Sequence, residues 1–254
     1  MRITLENQVA VITGGSRGIG AATVRLFAQA GARVVFNYRK DRKAASEVIR
    51  TCGERARLKS VRADVSRMTD AKRLVETAIR QFGSVDILVA NAGIWPAEPA
   101  PIEKMTERQW DEMMAINLKG VYSVIHCAVP HMIRQKAGRI IAVSSTAGQR
   151  GESFHSHYAA SKGGVISLVK GLSTELAPHH ILVNCVAPGW VDTDMAAPVK
   201  RNPRAHRKAL APIPLGRFAR PDEIAMPILF LASEMASYMT GEILNVNGGM
   251  VLCG

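Results

Sequence analysis

Tyr158 and Lys162 are the residues whose types and spacing point most directly to chemistry. They are four residues apart in a segment predicted to be helical, so both side chains lie on one helix face. A phenol with a pKa of about 10 is a poor base at neutral pH, and a nearby ammonium group favours its ionised form. Lowering that pKa by about three units requires roughly 4 kcal/mol, which a close, partly desolvated pair supplies. The pair is a candidate for proton transfer, although such pairs also occur on solvated helix faces.

Ser145 and Asn117 are further candidates because of the elements around them. Ser145 ends an apolar segment that starts at Arg139 and is predicted to be a strand, and the carboxyl edge of a parallel sheet borders the ligand crevice. A hydroxyl there can hydrogen-bond a carbonyl oxygen as negative charge develops, or it can cap backbone groups. Asn117 is predicted to open a helix, where asparagine is a common N-cap.

The segment that would hold a cofactor near these residues follows the apolar run Val9–Ile12 and reads Thr-Gly-Gly-Ser-Arg-Gly-Ile-Gly. Gly14 allows a sharp turn, Gly18 allows the backbone to approach a pyrophosphate, and Gly20 allows the next helix to pack closely on the sheet. The helix N-terminus offers free N–H groups and the positive end of its dipole to phosphate. The strand–loop–helix–strand context therefore predicts dinucleotide binding.

Apolar and helical segments alternate along almost the whole chain, which predicts a doubly wound parallel sheet with helices on both faces. No repeat, low-complexity tract or linker divides the sequence, so residues 1–254 are predicted to form one Rossmann-type α/β domain. Five prolines between Pro188 and Arg217 prevent one long helix there. The segment 189–217 is predicted to be a mobile substrate lid.

Composition excludes several classes of protein. The chain has a formal net charge of +12 but only 5% aromatic residues, which do not alternate with its basic runs, so nucleic-acid binding is not expected. It has no apolar run long enough for a membrane span, and its first strand starts too early for a signal peptide. Its cysteines are far apart and form no metal-ligand pair, which favours reduced thiols in the cytoplasm; they are Cys52, Cys127, Cys185 and Cys253. His155 and His157 have no carboxylate in a zinc-binding register, so no metal is expected.

These motifs, taken in order, resemble the short-chain dehydrogenase/reductase family. The resemblance rests on Thr-Gly-x-x-x-Gly-x-Gly, Asn91-Ala92-Gly93, Asn117, Ser145, Tyr158-x-x-x-Lys162 and Pro188-Gly189, and it spans Val9 to Gly249. It implies an enzyme that interconverts a ketone and a secondary alcohol by hydride transfer. Tyr158 would be the general acid/base, Lys162 its partner and a ligand of the nicotinamide ribose, Ser145 the group that polarises the carbonyl, and Asn117 the holder of a water that links Lys162 to solvent.

The resemblance also implies a set of cofactor-binding residues. Asp64 and Val65 would lie by the adenine, and Thr193 would meet the carboxamide. The complete set expected to contact the dinucleotide is Gly14, Ser16, Arg17, Gly18, Ile19, Gly20, Tyr38, Arg39, Asp64, Val65, Asn91, Ala92, Gly93, Tyr158, Lys162, Pro188, Gly189, Val191 and Thr193.

The end of the second strand decides which dinucleotide is expected. NAD-preferring relatives carry an acidic residue there to bond the ribose 2′-hydroxyl. This chain has Tyr38 at that position, followed by Arg39, and Arg17 in the glycine loop adds a second guanidinium suited to a 2′-phosphate. NADP(H) is therefore expected rather than NAD(H).

The substrate is less determined than the cofactor. The terminal Asn-Val-Asn-Gly-Gly-Met resembles 3-oxoacyl-acyl-carrier-protein reductases, whereas the proline-containing loop after Ile94 is more like sugar, steroid or small-alcohol dehydrogenases of the family. A non-catalytic nucleotide sensor on the same fold is the alternative of another class. The residues expected to line the pocket are Trp95, Phe154, His155, Trp190 and Met195.

Two kinds of partner are expected besides a carbonyl or alcohol substrate. Basic residues that could dock an acyl carrier protein, or a coenzyme A thioester, are Lys136, Arg139, Lys200, Arg201, Arg204, Arg207 and Lys208, although such charges are often simply solvated. The family resemblance implies a homotetramer, and apolar residues of two helices are consistent with subunit pairing or with the core: Val121, Ile125, Val129, Val165, Leu168, Val169 and Leu172.

Overall fold

The computed structural model describes residues 3–53 and 56–252, and seven strands within them form one parallel sheet. Its strand order is β3-β2-β1-β4-β5-β6-β7, so the chain builds outward from β1 in one direction and then from β4 in the other. The strands are β1 (Val9–Ile12), β2 (Arg33–Tyr38), β3 (Leu58–Arg62), β4 (Ile87–Ala90), β5 (Gly138–Val143), β6 (Ile181–Pro188) and β7 (Ile243–Val246). The predicted doubly wound sheet is confirmed, and its switch point lies between β1 and β4.

Helices connect these strands and cover both faces of the sheet. They are α1 (Gly18–Gln29), α2 (Arg42–Cys52), α3 (Met68–Phe82), α4 (Glu107–Met114), α5 (Gly120–Gln135), α6 (Thr146–Arg150), α7 (Ser156–Leu176), α8 (Ala197–Arg201), α9 (Pro203–Leu210) and α10 (Pro221–Leu231). Local signals fix several ends. Thr106 caps α4 in a reciprocal capping box with Gln109, and Gly83 ends α3 in the left-handed conformation.

The sheet separates two apolar cores because successive residues of a strand face opposite sides. Ala10 and Ile12 of β1 belong to the core that α1 and α10 cover. Val9 and Val11 belong to the core that α3, α5 and α7 cover. Every residue of β1 and β4 is buried, as expected of central parallel strands. This packing fixes the carboxyl ends of the strands, where the candidate residues lie.

Two predicted element boundaries are wrong near the candidate residues. Asn117 does not open a helix: it lies in a π-helical segment, Ala115–Lys119, that joins α4 to α5 without a break. Ser145 does not end a strand, because β5 stops at Val143 and Ser145 is the N-cap of α6. Both residues therefore sit at local departures from regular structure, which are common at functional sites.

The segment from 189 to 217 is broken, as its prolines predict, into a 3-10 turn (Asp194–Ala196), α8 and α9. It packs on its own small apolar cluster, which contains Ala196, Ala209, Ile213 and Phe218.

Most of the residues considered for subunit pairing belong to the core. Val121, Ile125, Val165 and Val169 are at most 3% exposed and pack under the sheet, so they are not available to a second subunit. Val129, Leu168 and Leu172 are partly buried against the same core.

Cys52, Cys127 and Cys185 carry free thiols, and Cys253 lies outside the described residues. Within 3–53 and 56–252, no group of three or more His, Cys, Asp or Glu side chains is arranged to hold a metal ion. In the same ranges, no helix combines the length and the apolar character that crossing a membrane would require.

Candidate active site

The glycine loop joins β1 to α1 at the switch point of the sheet. Gly14 and Gly18 have φ values of +67° and +54°, a conformation that favours glycine. A Cβ on Gly20 would lie 2.1 Å from the carbonyl oxygen of Gly14, so only glycine allows the helix to start this close to the loop. Arg17 is the N-cap of α1, makes no side-chain cap, and no acidic residue occupies the first turn. The resulting helix N-terminus suits an anion such as a pyrophosphate.

Buried polar side chains hold this loop in place. The Asn37 side chain accepts a hydrogen bond from the Gly14 N–H (2.9 Å) and donates to the Ala63 carbonyl (2.8 Å). The Thr13 hydroxyl accepts from the backbone N–H groups of Asn91 and Ala92, both at 2.9 Å. The sequence motif contained Thr13 but assigned it no role, and Asn37 carried no signal beyond its place at the end of a strand.

The residues predicted at the adenosine end surround the carboxyl ends of β2 and β3. Tyr38 is the last residue of β2, Arg39 follows it and is exposed, and Arg17 is exposed in the glycine loop. Neither guanidinium has an ion pair or hydrogen bond to another described residue. Asp64 instead uses its carboxylate locally, accepting from the backbone and hydroxyl of Ser66 at 3.1 and 2.7 Å. Two free guanidinium groups match a phosphate better than a hydroxyl.

The residues predicted at the nicotinamide end come from several loops. A Cβ on Gly18 would lie 3.1 Å from Thr193, which places that threonine against the glycine loop. A Cβ on Gly93 would lie 3.2 Å from Asn117 Oδ1 and 3.3 Å from Lys162 Nζ, so the three residues converge. The remaining predicted residues border the same carboxyl edge; they are Ser16 and Ile19 in the loop and first turn of α1, Pro188 and Gly189 where β6 ends, and Val191, which pairs with Ala219.

Asn117 is buried, and both ends of its amide are hydrogen-bonded. Its Oδ1 accepts from the Ile94 N–H (2.8 Å), and its Nδ2 lies 2.9 Å from the Ile94 carbonyl and 3.2 Å from Ser161 Oγ. The side chain therefore ties the loop after β4 to α7. Because the π-helical segment displaces the backbone at this point, Asn117 is turned toward this loop in the middle of a continuous helix.

Ser145, Tyr158 and Lys162 are brought together by the crossing of α6 and α7. A Cβ on Gly148 would lie 2.6 Å from the backbone carbon of Lys162, so glycine lets the two helix backbones touch. Ser144 strengthens the crossing by donating to the Lys162 carbonyl at 2.8 Å. Sequence reasoning missed Gly148 and Ser144, because their importance depends on a contact between helices.

The ionisation of this group differs from the sequence-based expectation. Burial raises the pKa of Tyr158 to about 12, and the hydrogen bond from Ser145 only partly opposes this. Burial lowers the pKa of Lys162 to about 8. Lys162 Nζ lies 6.0 Å from the phenol ring centre and donates to the Val143 carbonyl at 2.8 Å. The expected lowering of the Tyr158 pKa by Lys162 is wrong for this structure, since the ammonium is directed at a carbonyl and desolvation dominates.

Three of the five predicted pocket residues form one aromatic wall. Trp95 stacks on His155 (4.9 Å between ring centres) and meets Trp190 edge to face (5.4 Å). Phe218, which sequence reasoning missed, stacks on Trp190 at 5.3 Å and belongs to the apolar cluster on which the segment 189–217 packs. Phe154 and Met195 are 56% and 44% exposed, and neither makes a ring contact with this wall.

Comparisons with known proteins show the family to which the chain belongs. The family model for enoyl-(acyl carrier protein) reductase matches residues 14–251. The 3-oxoacyl-(acyl-carrier-protein) reductase FabG of Thermotoga maritima is 42% identical over 98% of this chain and 99% of its own length. The FabG of Chlamydia muridarum is 38% identical over 98% of this chain and 100% of its own length.

Solved structures give the same result. The crystal structure of gox2181 has a TM-score of 0.93 and 37% identity, covering 97% of this chain and 96% of its own. A short-chain dehydrogenase/reductase, glucose/ribitol dehydrogenase, from Brucella melitensis has a TM-score of 0.90 and 34% identity, with both chains fully covered. The chain therefore belongs to the short-chain dehydrogenase/reductase family and is an oxidoreductase.

Proposed function

We propose that this enzyme uses NADPH to reduce the 3-oxo group of an acyl thioester to a secondary alcohol. The observation that carries the proposal is the convergence of Ser145, Tyr158 and Lys162 next to Asn117 at the carboxyl edge of the sheet. The thioester class is supported by the likeness to two proteins named 3-oxoacyl-(acyl-carrier-protein) reductase.

The residues of the cofactor crevice fit a nicotinamide dinucleotide. Gly20 lets α1 start against the glycine loop, the N-terminus of α1 carries free N–H groups, and Arg17 and Arg39 offer guanidinium groups for a 2′-phosphate. When bound, the nicotinamide supplies the hydride. The glycine loop would hold the pyrophosphate, Lys162 the nicotinamide ribose and Thr193 the carboxamide. Asp64 and Val65 would lie along the adenine.

The proton chemistry follows from the state of the side chains. With a pKa of about 12, the Tyr158 phenol is protonated at neutral pH and can donate its proton to the carbonyl oxygen. Ser145 donates a hydrogen bond to the same oxygen as charge develops there. Lys162 stabilises the Tyr158 phenolate that remains. Asn117 belongs to the path that returns a proton to this phenolate. This assignment suits reduction of a ketone better than oxidation of an alcohol.

The surroundings of the reacting group set the substrate and partners that we propose. Trp95, His155 and Trp190 would line the acyl site, Phe154 and Met195 its rim, and the segment 189–217 would close over it as a lid. Lys200 and Arg139 already pair with Asp192 (2.6 Å) and Glu234 (2.9 Å). Carrier-protein docking therefore falls on the exposed cations that have no ion pair to another described residue: Lys136, Arg201, Arg204, Arg207 and Lys208. A cytoplasmic homotetramer completes the proposal, by the resemblance to the family.

The test is NADPH oxidation at 340 nm with acetoacetyl thioesters of coenzyme A and of acyl carrier protein, beside ketones, sugars and alcohols. Thioester reduction with a preference for NADPH is the expected result. The Tyr158→Phe variant should keep NADPH binding and lose at least a hundredfold in turnover, because it removes the proton donor. Activity restricted to sugars or simple alcohols would refute the thioester assignment, and unchanged turnover in the variant would refute the role of Tyr158.

A further inference from the structure

Glu152 lies in the turn between α6 and α7, where its carboxylate is held by one oxygen only. Trp95 Nε1 donates to its Oε1 at 3.2 Å, and His155 Nδ1 lies 3.6 Å from the same oxygen. The side chain is 19% exposed. Oε2 makes no hydrogen bond or ion pair with another described residue, and it is not among the sealed, unpartnered atoms. Glu152 therefore presents a fixed, accessible acceptor.

Glu152 is linked through Trp95 to the wall of the candidate active site. Trp95, which anchors Glu152, packs against the apolar cluster that contains Tyr158. His155 stacks on Trp95, so the three side chains form one rigid unit. The mechanism proposed above gives Glu152 no role, and the sequence motifs did not include it.

Electrostatics connects Glu152 to the reacting group. Its negative charge contributes to the raised pKa of Tyr158. Burial raises the pKa of Glu152 itself, and His155 and Arg150 oppose that effect. The charged and titratable groups that interact with the carboxylate are His155, Arg150 and Tyr158, and His157 interacts with His155.

We propose that Glu152 is a specificity-determining residue that rejects anionic carbonyl substrates, so that neutral 3-oxo esters and thioesters are reduced and free 3-oxo acids are not. The proposal rests on the proposed function. In a 3-oxo acid the carboxylate is two carbons from the reacting carbonyl, whereas a thioester is uncharged there. A like charge in a partly desolvated site is repelled strongly, and specificity is commonly obtained from such a repulsive element.

The experiment compares ethyl acetoacetate with acetoacetate, which differ in this charge. In the wild type, kcat/KM should be much higher for ethyl acetoacetate than for acetoacetate. Glu152→Gln keeps an oxygen that can accept from Trp95 and removes the charge. The ratio of kcat/KM for the ester to kcat/KM for acetoacetate should therefore fall at least tenfold, mainly through a lower KM for acetoacetate. Glu98→Gln is the matched control, because Glu98 is exposed in the same loop as Trp95 and has no partner among the described residues. An unchanged ratio in the Glu152 variant overturns the proposal.

A second measurement needs no substitution of Glu152. In the wild type, the ratio of kcat/KM for ethyl acetoacetate to kcat/KM for acetoacetate should decrease as the pH falls through the raised pKa of Glu152. The carboxyl group becomes neutral in this range, while acetoacetate stays charged. His155→Gln should keep this decrease, since the carboxylate remains. The proposal is overturned if the substrate preference of the wild type does not change with pH, or if the change is lost in the His155→Gln variant.

The two levels of proposal fail differently. If neither ethyl acetoacetate nor an acetoacetyl thioester is reduced, the proposed function fails and the role of Glu152 falls with it. If both are reduced and the Glu152 variant still rejects acetoacetate, only the role of Glu152 fails.

Discussion

Replacing Lys162 with methionine should abolish activity and stabilise the folded protein at neutral pH. The pKa of Lys162 is about 8 in the folded enzyme and 10.5 when the group is unperturbed. At 1.36 kcal/mol per pH unit, this difference means that holding the ammonium in its buried position costs about 3 kcal/mol below pH 8. Methionine avoids that cost but loses the hydrogen bond from the charged ammonium to the Val143 carbonyl, which is worth at least about 1.5 kcal/mol. The expected net gain is therefore at most about 1.5 kcal/mol.

The sign of this effect makes it testable against pH. Because the folded-state pKa is lowered, the unfolded chain binds more protons between pH 8 and 10.5. The wild type should therefore gain stability relative to the variant as the pH rises through this range, and the difference should be constant below pH 8. Urea denaturation of both proteins at pH 7 and pH 10 measures it as a double difference. Lys170→Met, at an exposed position of α7, is the control and should show no pH-dependent difference. If the difference between wild type and K162M were the same at both pH values, the assignment of a destabilised buried ammonium would be wrong.

Three other predictions follow from single features of the site. Arg39→Ala should raise the KM for NADPH about 10- to 100-fold and leave the KM for NADH unchanged. The control variant Lys40→Ala should change neither KM. Equal effects of Arg39→Ala on both cofactors would exclude a contact with the 2′-phosphate. Gly148→Ala should lower kcat about a hundredfold, because the new Cβ would press on the Lys162 backbone. Gly171→Ala is the control: this position has open space around it, so the variant should be neutral or slightly stabilised. Full activity of the Gly148 variant would refute the close helix contact. Because the pKa of Tyr158 is about 12, kcat for reduction should stay flat from pH 6 to 8 while kcat for alcohol oxidation rises; a reduction rate that falls tenfold per pH unit would refute that pKa.

The sheet and the glycine loop were predictable because their signals are local. The apolar run before Thr13 and the glycines after it determine strand, turn and helix within about twenty residues. The π-helical segment at Asn117 was not predictable, since the apolar spacing there is still that of a helix. The predicted end of β5 was also wrong by two residues, since β5 ends at Val143 and Ser145 caps α6. A short polar residue at this junction fits the end of a strand as well as the cap of a helix.

The other features of the site that could not be predicted from the sequence depend on contacts between distant segments. Glu152 and Trp95 are 57 residues apart, and nothing in either local sequence indicates that the indole holds the carboxylate. The close crossing of Gly148 with the backbone of Lys162 depends on how two helices pack. Spacing alone put Tyr158 and Lys162 on one face, but only the fold shows that the ammonium is directed at the Val143 carbonyl.

The same burial that raises the pKa of Tyr158 lowers that of Lys162, and the two shifts act together. Both groups are buried near the crossing of α6 and α7. At neutral pH the phenol therefore keeps its proton, while the ammonium keeps its charge only narrowly. When the phenol gives up its proton, the new anion favours the charged form of Lys162, and the ammonium in turn stabilises the phenolate. In the proposed mechanism, a phenol that is protonated at neutral pH suits delivery of a proton to a carbonyl oxygen.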